Sequence, residues 1–144
     1  MNTVVFACVH NAGRSQMAAA FFTQLANPAL ARAVSAGTRP AERVHPEVVE
    51  AMREVGIDLS GAKPQPLTPE LAREAAWLVT MGCGDECPVL PGVRREDWPL
   101  ADPKGQPPEQ VRAIRAEIRE RVWKLIAQQG WWKLRPADHP EELS

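Results

Sequence analysis

Eight residues near the N-terminus, Cys8-Val9-His10-Asn11-Ala12-Gly13-Arg14-Ser15, bring a thiol, a guanidinium and a short stretch of small and polar residues together. The apolar run Val4-Val5-Phe6-Ala7 precedes them and an Ala-rich run follows, so the order reads strand, tight loop, helix. A loop of this length can curl until its backbone N–H groups converge on one tetrahedral oxyanion, with the positive end of the next helix behind it. Arg14 can hold two oxygens of that anion with its planar fork. The same field favours the thiolate of Cys8 near neutral pH. Asn11 tolerates the left-handed backbone that a tight loop needs, and its amide can tie the loop to itself. Ser15 can donate its hydroxyl to the sulfur. Val9, His10, Asn11, Ala12, Gly13, Arg14 and Ser15 are thus candidate oxyanion-binding residues, and Cys8 is the candidate nucleophile. A cysteine ending a buried strand can also be no more than a small hydrophobe. Its setting between an apolar strand and an apolar helix favours chemistry at a phosphate-like centre.

Nucleophilic displacement on an oxyanion benefits from an acid opposite the nucleophile. Asp102-Pro103 supplies a candidate: the proline fixes a turn that can aim the carboxylate back over the loop, where it would protonate a leaving oxygen. Asp-Pro is also a common turn pair, so the pairing gains meaning only beside the anion loop. Cys83 and Cys87 flank Gly84-Asp85-Glu86, with Gly82 before them and Pro88 after. They could be half of a metal site, but His10, His45 and His139 are scattered and complete no ligand set. They could be packing cysteines. Redox work fits best: the glycines allow the segment to move, and two thiols three residues apart can close a small disulfide once the backbone bends.

The elements that must position these groups alternate. Thr3–Ala7 reads as a parallel strand covered on both faces, and Ser15–Ala26 as a helix with Met17, Phe21, Phe22 and Leu25 at helical spacing. Ala31–Ser35 is a second strand and Ala36-Gly37-Thr38 a turn. Pro46–Val55 is an amphipathic helix with Val48, Val49, Met52 and Val55 inward, and Gly56 at its C-terminal cap. Ile57–Leu67, with two prolines, is loop. Thr68-Pro69-Glu70 caps a short helix to about Ala75. Trp77–Met81 is a third strand, and Asp97-Trp98-Pro99 a short fourth. Pro108–Gln128 is the longest helix, with Val111, Ile114, Ile118, Val122, Leu125 and Ile126 on one face. The pattern predicts an α/β fold of three layers: a four-stranded parallel sheet with helices on both faces and its chemistry at the C-terminal ends of the strands. Residues 1–144 form a single catalytic domain, with 130–144 a C-terminal tail whose Trp131-Trp132 pair packs back on it.

The chain has 144 residues, 44% hydrophobic and 24% charged, values ordinary for one soluble domain. Its net charge of -1 speaks against general nucleic-acid binding. No apolar run approaches the roughly 20 residues of a membrane span. The N-terminus runs straight into a strand without a cleavable leader, which favours the cytoplasm. The three cysteines make no secretory disulfide pattern and suit a reducing compartment. Nothing points to a metal or another cofactor.

Taken together, Cys8 to Ala18, Ser35-Ala36-Gly37, Val79 to Pro88 and Asp102-Pro103 resemble the arsenate reductases built on the low-molecular-weight protein tyrosine phosphatase fold. The likeness runs from about Thr3 to Gln128. It implies that arsenate, with phosphate or sulfate as mimics, sits in the loop, that Cys8 attacks arsenic while Asp102 helps an oxygen leave, and that Cys83 then attacks the Cys8 sulfur as arsenite departs. Cys87 would move the disulfide outward to Cys83–Cys87 for reduction by thioredoxin. The gap between Cys83 and Cys87 is shorter than in familiar thioredoxin-linked members, and a low-molecular-weight thiol such as mycothiol is the alternative reductant. Carboxylates that hold potassium in some relatives are replaced by Ala19 and Gln65, so no potassium requirement is expected. A phosphatase acting on phosphotyrosine or small phosphoesters is the competing enzyme. The absence of tyrosine, and Lys104 after Asp102-Pro103, speak against it. A non-enzymatic oxyanion or redox sensor would need neither the acid nor the intact cradle. The fold is generally monomeric.

Overall fold

The computed structural model describes residues 2–82 and 92–133. Their elements are β1 (Asn2–Cys8), α1 (Arg14–Leu25), β2 (Ala31–Gly37), α2 (Pro46–Arg53), α3 (Pro69–Glu74), β3 (Trp77–Thr80), β4 (Arg94–Asp97) and α4 (Pro108–Gln129). The strands make one parallel sheet in the order β2-β1-β3-β4. β1 has a neighbour on each side and a helical layer over each face, which is why its residues from Thr3 to Cys8 are all buried. The chain leaves β1 toward β2 on one side and returns to β3 on the other, so the order reverses at the C-terminal end of β1. Open α/β sheets place their ligand crevice at such a point.

One face of the sheet carries α1, α2 and α4. Val4, Phe6, Met17, Phe22, Met52, Trp98, Ile118 and Ile126 belong to this larger core. Phe6 lies between Phe22, ring centres 5.9 Å apart, and Trp98 at 5.7 Å, and so pins β1 to α1 and to the chain leaving β4. Each such aromatic contact adds about 1 kcal/mol to the burial of the rings themselves. The other face is thinner. Val5, Ala7, Ala75 and Leu78 are covered by Leu67 and Leu71 from α3 and its approach. Thr68 caps α3 by accepting the Leu71 N–H at 3.1 Å.

The structure corrects four expectations. β2 runs Ala31–Gly37, so Ala36 and Gly37, expected in a turn, pair instead with Ala7 and Cys8. The fourth strand is Arg94–Asp97, ahead of the expected Asp97-Trp98-Pro99: Trp98 has left the ladder and fills the core at 2% exposure. A large ring buries more area there than on an edge strand. α2 ends at Arg53, so Val55 points to solvent at 39% exposure while Ala51 takes the inward place. On α4, Trp123 is buried beside the expected apolar residues. The Trp131-Trp132 pair does pack back. Trp131 meets Phe22 edge-on at 6.1 Å, its carbonyl accepts the Asn27 N–H, and Trp132 pairs with Ala26. Among the described residues no helix is long and apolar enough to cross a membrane.

Candidate active site

Cys8 ends β1, 3% exposed, and the chain then turns through 9–13 into α1. The carbonyls of this turn are drawn outward by the segment after β2. Thr38 N–H bonds to Cys8 O at 3.2 Å, Arg39 N–H to Val9 O at 2.7 Å, Ala41 N–H to His10 O at 2.9 Å and His45 N–H to Ala12 O at 2.9 Å. Four carbonyls of this stretch are thereby bonded to residues 38–45, and each trans peptide N–H points away from the carbonyl of its own peptide unit. Among the described residues, no backbone carbonyl takes the N–H groups of Val9 to Gly13 in the turn and loop bonds. Gly13 precedes α1 without a side-chain cap, so the first N–H groups of the helix are likewise left open. A concave ring of donors at a helix N-terminus is an anion cradle.

A buried polar cluster fixes the shape of this loop. Asn11 is the described non-glycine residue with a positive φ, 49°. Its Nδ2 donates to Ser15 Oγ at 2.8 Å, and Ser15 Oγ lies 2.9 Å from Cys8 Sγ. The Ser15 oxygen receives the amide N–H and keeps its own hydrogen, which is what it can offer to a Cys8 thiolate. Asn11 Oδ1 accepts from the Gln65 N–H at 2.9 Å and from Gln16 Nε2 at 3.2 Å. Gly37 lets the loop come this close: a Cβ there would stand 2.7 Å from Val9 O and 2.9 Å from Asn11 N.

Arg14 opens α1 and is only 11% exposed. Its Nη1 donates to Leu100 O at 2.9 Å, and its Nη2 lies 3.9 Å from Asp102 Oδ2. Asp102 is half exposed and Pro103 packs on Gly13, so the 102–103 turn does lie over the loop. Cys8, His10, Ala12, Gly13, Arg14, His45 and Asp102 line one small pocket. His10 is anchored through Nδ1 to Arg39 O at 3.1 Å. Burial lowers the pKa of His45, against the opposing pull of Glu47 and Asp102. Its imidazole therefore favours the neutral form beside the pocket. Among the described residues no group of three or more His, Cys, Asp or Glu is placed to hold a metal. Cys83 and Cys87 lie outside the described residues.

The structure thus brings Cys8, Arg14, Ser15 and Asp102 to one place. Sequence reasoning missed Gln16, Gln65, Gly37 and Gly82 as parts of it. Gly82 had suggested mobility beside the second thiol. Its φ of +84° and its position against the Arg14 guanidinium give it a conformational role instead. Polar Gln16 directly before the apolar run Met17–Phe22 was the available signal. The others are recognisable only once distant segments meet.

Fold and loop together place a buried cysteine sulfur at the foot of a turn that leads into a helix N-terminus, beside a partly buried arginine. The chain belongs to the low molecular weight phosphotyrosine protein phosphatase family, whose pattern matches residues 3–131. Among its relatives is the glutaredoxin arsenate reductase of Synechocystis sp., 38% identical over 130 residues that cover 88% of this chain and 98% of that one. The thioredoxin-dependent arsenate reductase of Corynebacterium glutamicum superposes with a TM-score of 0.75 at 41% identity. That match takes in 87% of this chain, but this chain spans only 60% of the length of that one. An arsenate reductase in the phosphate binding state superposes with a TM-score of 0.76 at 35% identity, covering 89% of this chain and 98% of that one.

Proposed function

We propose that this protein is an arsenate reductase. One observation carries the reading: Cys8 Sγ sits 2.9 Å from the Ser15 hydroxyl at the foot of a loop with inward N–H groups and Arg14 at its rim. Arsenate fits this cradle as a tetrahedral oxyanion, and phosphate or sulfate would compete for it. The N–H groups of Val9 to Ser15 and the Arg14 fork hold its oxygens. The Cys8 thiolate attacks arsenic and forms an S–As bond, while an oxygen leaves as water with a proton from Asp102.

Reduction follows from thiol chemistry. The Cys83 thiolate attacks the Cys8 sulfur, an S–S bond forms, and the S–As electron pair passes to arsenic. Arsenic goes from the +5 to the +3 state and leaves as arsenite. Cys87 then attacks Cys83, releasing the Cys8 thiolate and leaving a Cys83–Cys87 disulfide. Thioredoxin reduces that disulfide, with a low-molecular-weight thiol as the alternative donor. The presence of two thiols close enough in sequence to close a small disulfide supports this relay. On this reading residues 1–144 act as a single catalytic domain, monomeric and cytoplasmic, and no cofactor is needed.

The test is arsenate-dependent oxidation of NADPH through thioredoxin and its reductase, with each cysteine replaced by serine in turn. Cys8→Ser should abolish turnover. Cys83→Ser should stop after one arsenate is bound, and Cys87→Ser after one arsenite is released. Undiminished turnover by Cys8→Ser would refute the scheme. Release of arsenite by Cys83→Ser on adding mycothiol would move the reductant to the external-thiol route.

A further inference from the structure

Gln16 is buried in the first turn of α1, 6% exposed, in a helix whose other buried residues are mostly apolar. A polar side chain costs free energy there unless its hydrogen bonds are made. Its Nε2 meets three oxygens: Asn11 O at 3.1 Å, Asn11 Oδ1 at 3.2 Å and Lys63 O at 3.5 Å. All three are acceptors only, so the orientation of the Gln16 amide is unambiguous.

That orientation has a chain of consequences. With Gln16 Nε2 and the Gln65 N–H both donating to Oδ1, the Asn11 amide cannot turn over, and its Nδ2 must face Ser15. Nδ2 then occupies a lone pair of the Ser15 oxygen, and that oxygen is held 2.9 Å from Cys8 Sγ with its hydrogen available to a thiolate there. The second Gln16 bond, to Asn11 O, also steadies the left-handed backbone of Asn11.

We propose that Gln16 is a positioning residue for the nucleophile: through Asn11 it holds the Ser15 hydroxyl against the Cys8 sulfur and so sets how readily that sulfur attacks. The inference rests on Cys8 being the nucleophile but not on arsenate being the substrate. Gln16 itself touches neither the sulfur nor the anion.

The experiment measures alkylation of Cys8 by iodoacetamide across pH in a Cys83→Ser/Cys87→Ser background, so that Cys8 is the reacting thiol. Gln16→Met keeps the volume and removes the donor. It should slow alkylation below neutrality by about fivefold, the equivalent of one net hydrogen bond of ~1 kcal/mol, and move the profile to higher pH. Gln16→Glu keeps the shape and sets a carboxylate against three oxygens, so it should move the profile at least as far. The deciding arm repeats Gln16→Met on Ser15→Ala. If Gln16 acts through Ser15, the second substitution adds no further slowing. An unchanged profile in both Gln16 variants, or an equal loss with and without Ser15, would overturn the proposal. Should Gln16→Met fail to fold, Gln16→Glu carries the same comparison. Arsenate turnover plays no part in this readout, so a different substrate would leave the result standing.

Discussion

Gly82 lies against the Arg14 guanidinium so closely that a Cβ on it would stand 2.5 Å from Nη1. Its φ of +84° is also one that side chains rarely adopt. The arginine could not swing aside without losing its bond to Leu100 O. Gly82→Ala should therefore cost about 1–2 kcal/mol of stability from the backbone alone. It should also raise the KM for arsenate by displacing the clamp. Urea unfolding and steady-state kinetics on the same variant check both parts, and an unchanged KM would show that Arg14 tolerates the shift.

Asp102 lines the same pocket as Cys8, with Oδ2 3.9 Å from Arg14 Nη2. Asp102→Asn keeps the size and removes the transferable proton. It should lower kcat by about 10²-fold, the usual size of a general-acid contribution. Inhibition by phosphate should not weaken, because the variant removes a negative charge near the anion. A kcat within threefold of the parent would assign the proton to water.

His45 makes the folded protein sensitive to mild acid. Burial holds its pKa below the ordinary 6.5. As the pH falls, the unfolded chain takes up a proton before the folded protein does. The stability tied to this group is thus fully present above about 6.5 and is lost as the pH falls through the folded value. His45→Gln should flatten the dependence of unfolding free energy on pH between about 7 and 5. The parent slope persisting in the variant would place its origin elsewhere.

Glu54 joins the end of α2 to α4. Arg112 grips both its oxygens, at 3.0 and 2.8 Å, and Arg115 adds a bond at 2.9 Å. The hydrogen bonds from Arg112 and Arg115 lower its pKa from 4.5 to about 2. Its stabilising effect is present above 4.5 and is lost as the pH falls toward 2. Glu54→Gln should therefore be less stable than the parent at neutral pH and equal to it near pH 2. Because the carboxylate is solvent-facing, the difference should also shrink in high salt. A difference that survives at pH 2 would point to packing.

Exchanging potassium for sodium should leave the rate unchanged. Asn11 O, Asn11 Oδ1 and Lys63 O already receive Gln16 Nε2, and Ser35 O receives Gln65 Nε2 at 2.8 Å. These amide hydrogens satisfy oxygens that a cation would otherwise draw together. A marked rise in turnover in potassium would show that they yield to the ion.

The chemistry of this chain was written in local sequence. Cys8 to Ser15 carries the proposed nucleophile, loop and clamp in one stretch of chain, and local sequence signals marked β1, α1, α3 and α4 closely. Apolar spacing reports which face of an element is buried. It misplaced β4 because Trp98 contributes the same apolar signal whether it pairs in a strand or leaves it to fill the core. It turned Val55 inward because the pattern runs past the point where α2 stops.

Tertiary structure decided what surrounds the sulfur. Arg14 and Leu100 are 86 residues apart, Asn11 and Gln65 54 apart, and their bonds exist only because the parallel sheet brings loop ends to one edge. The outward pull on the loop carbonyls by residues 38–45, the glycine contacts of Gly37 and Gly82, and the approach of Asp102 have the same origin. Close approach of backbone to backbone leaves no mark on residue periodicity. The sequence by itself determined which groups can react; long-range packing determined which way each of them faces.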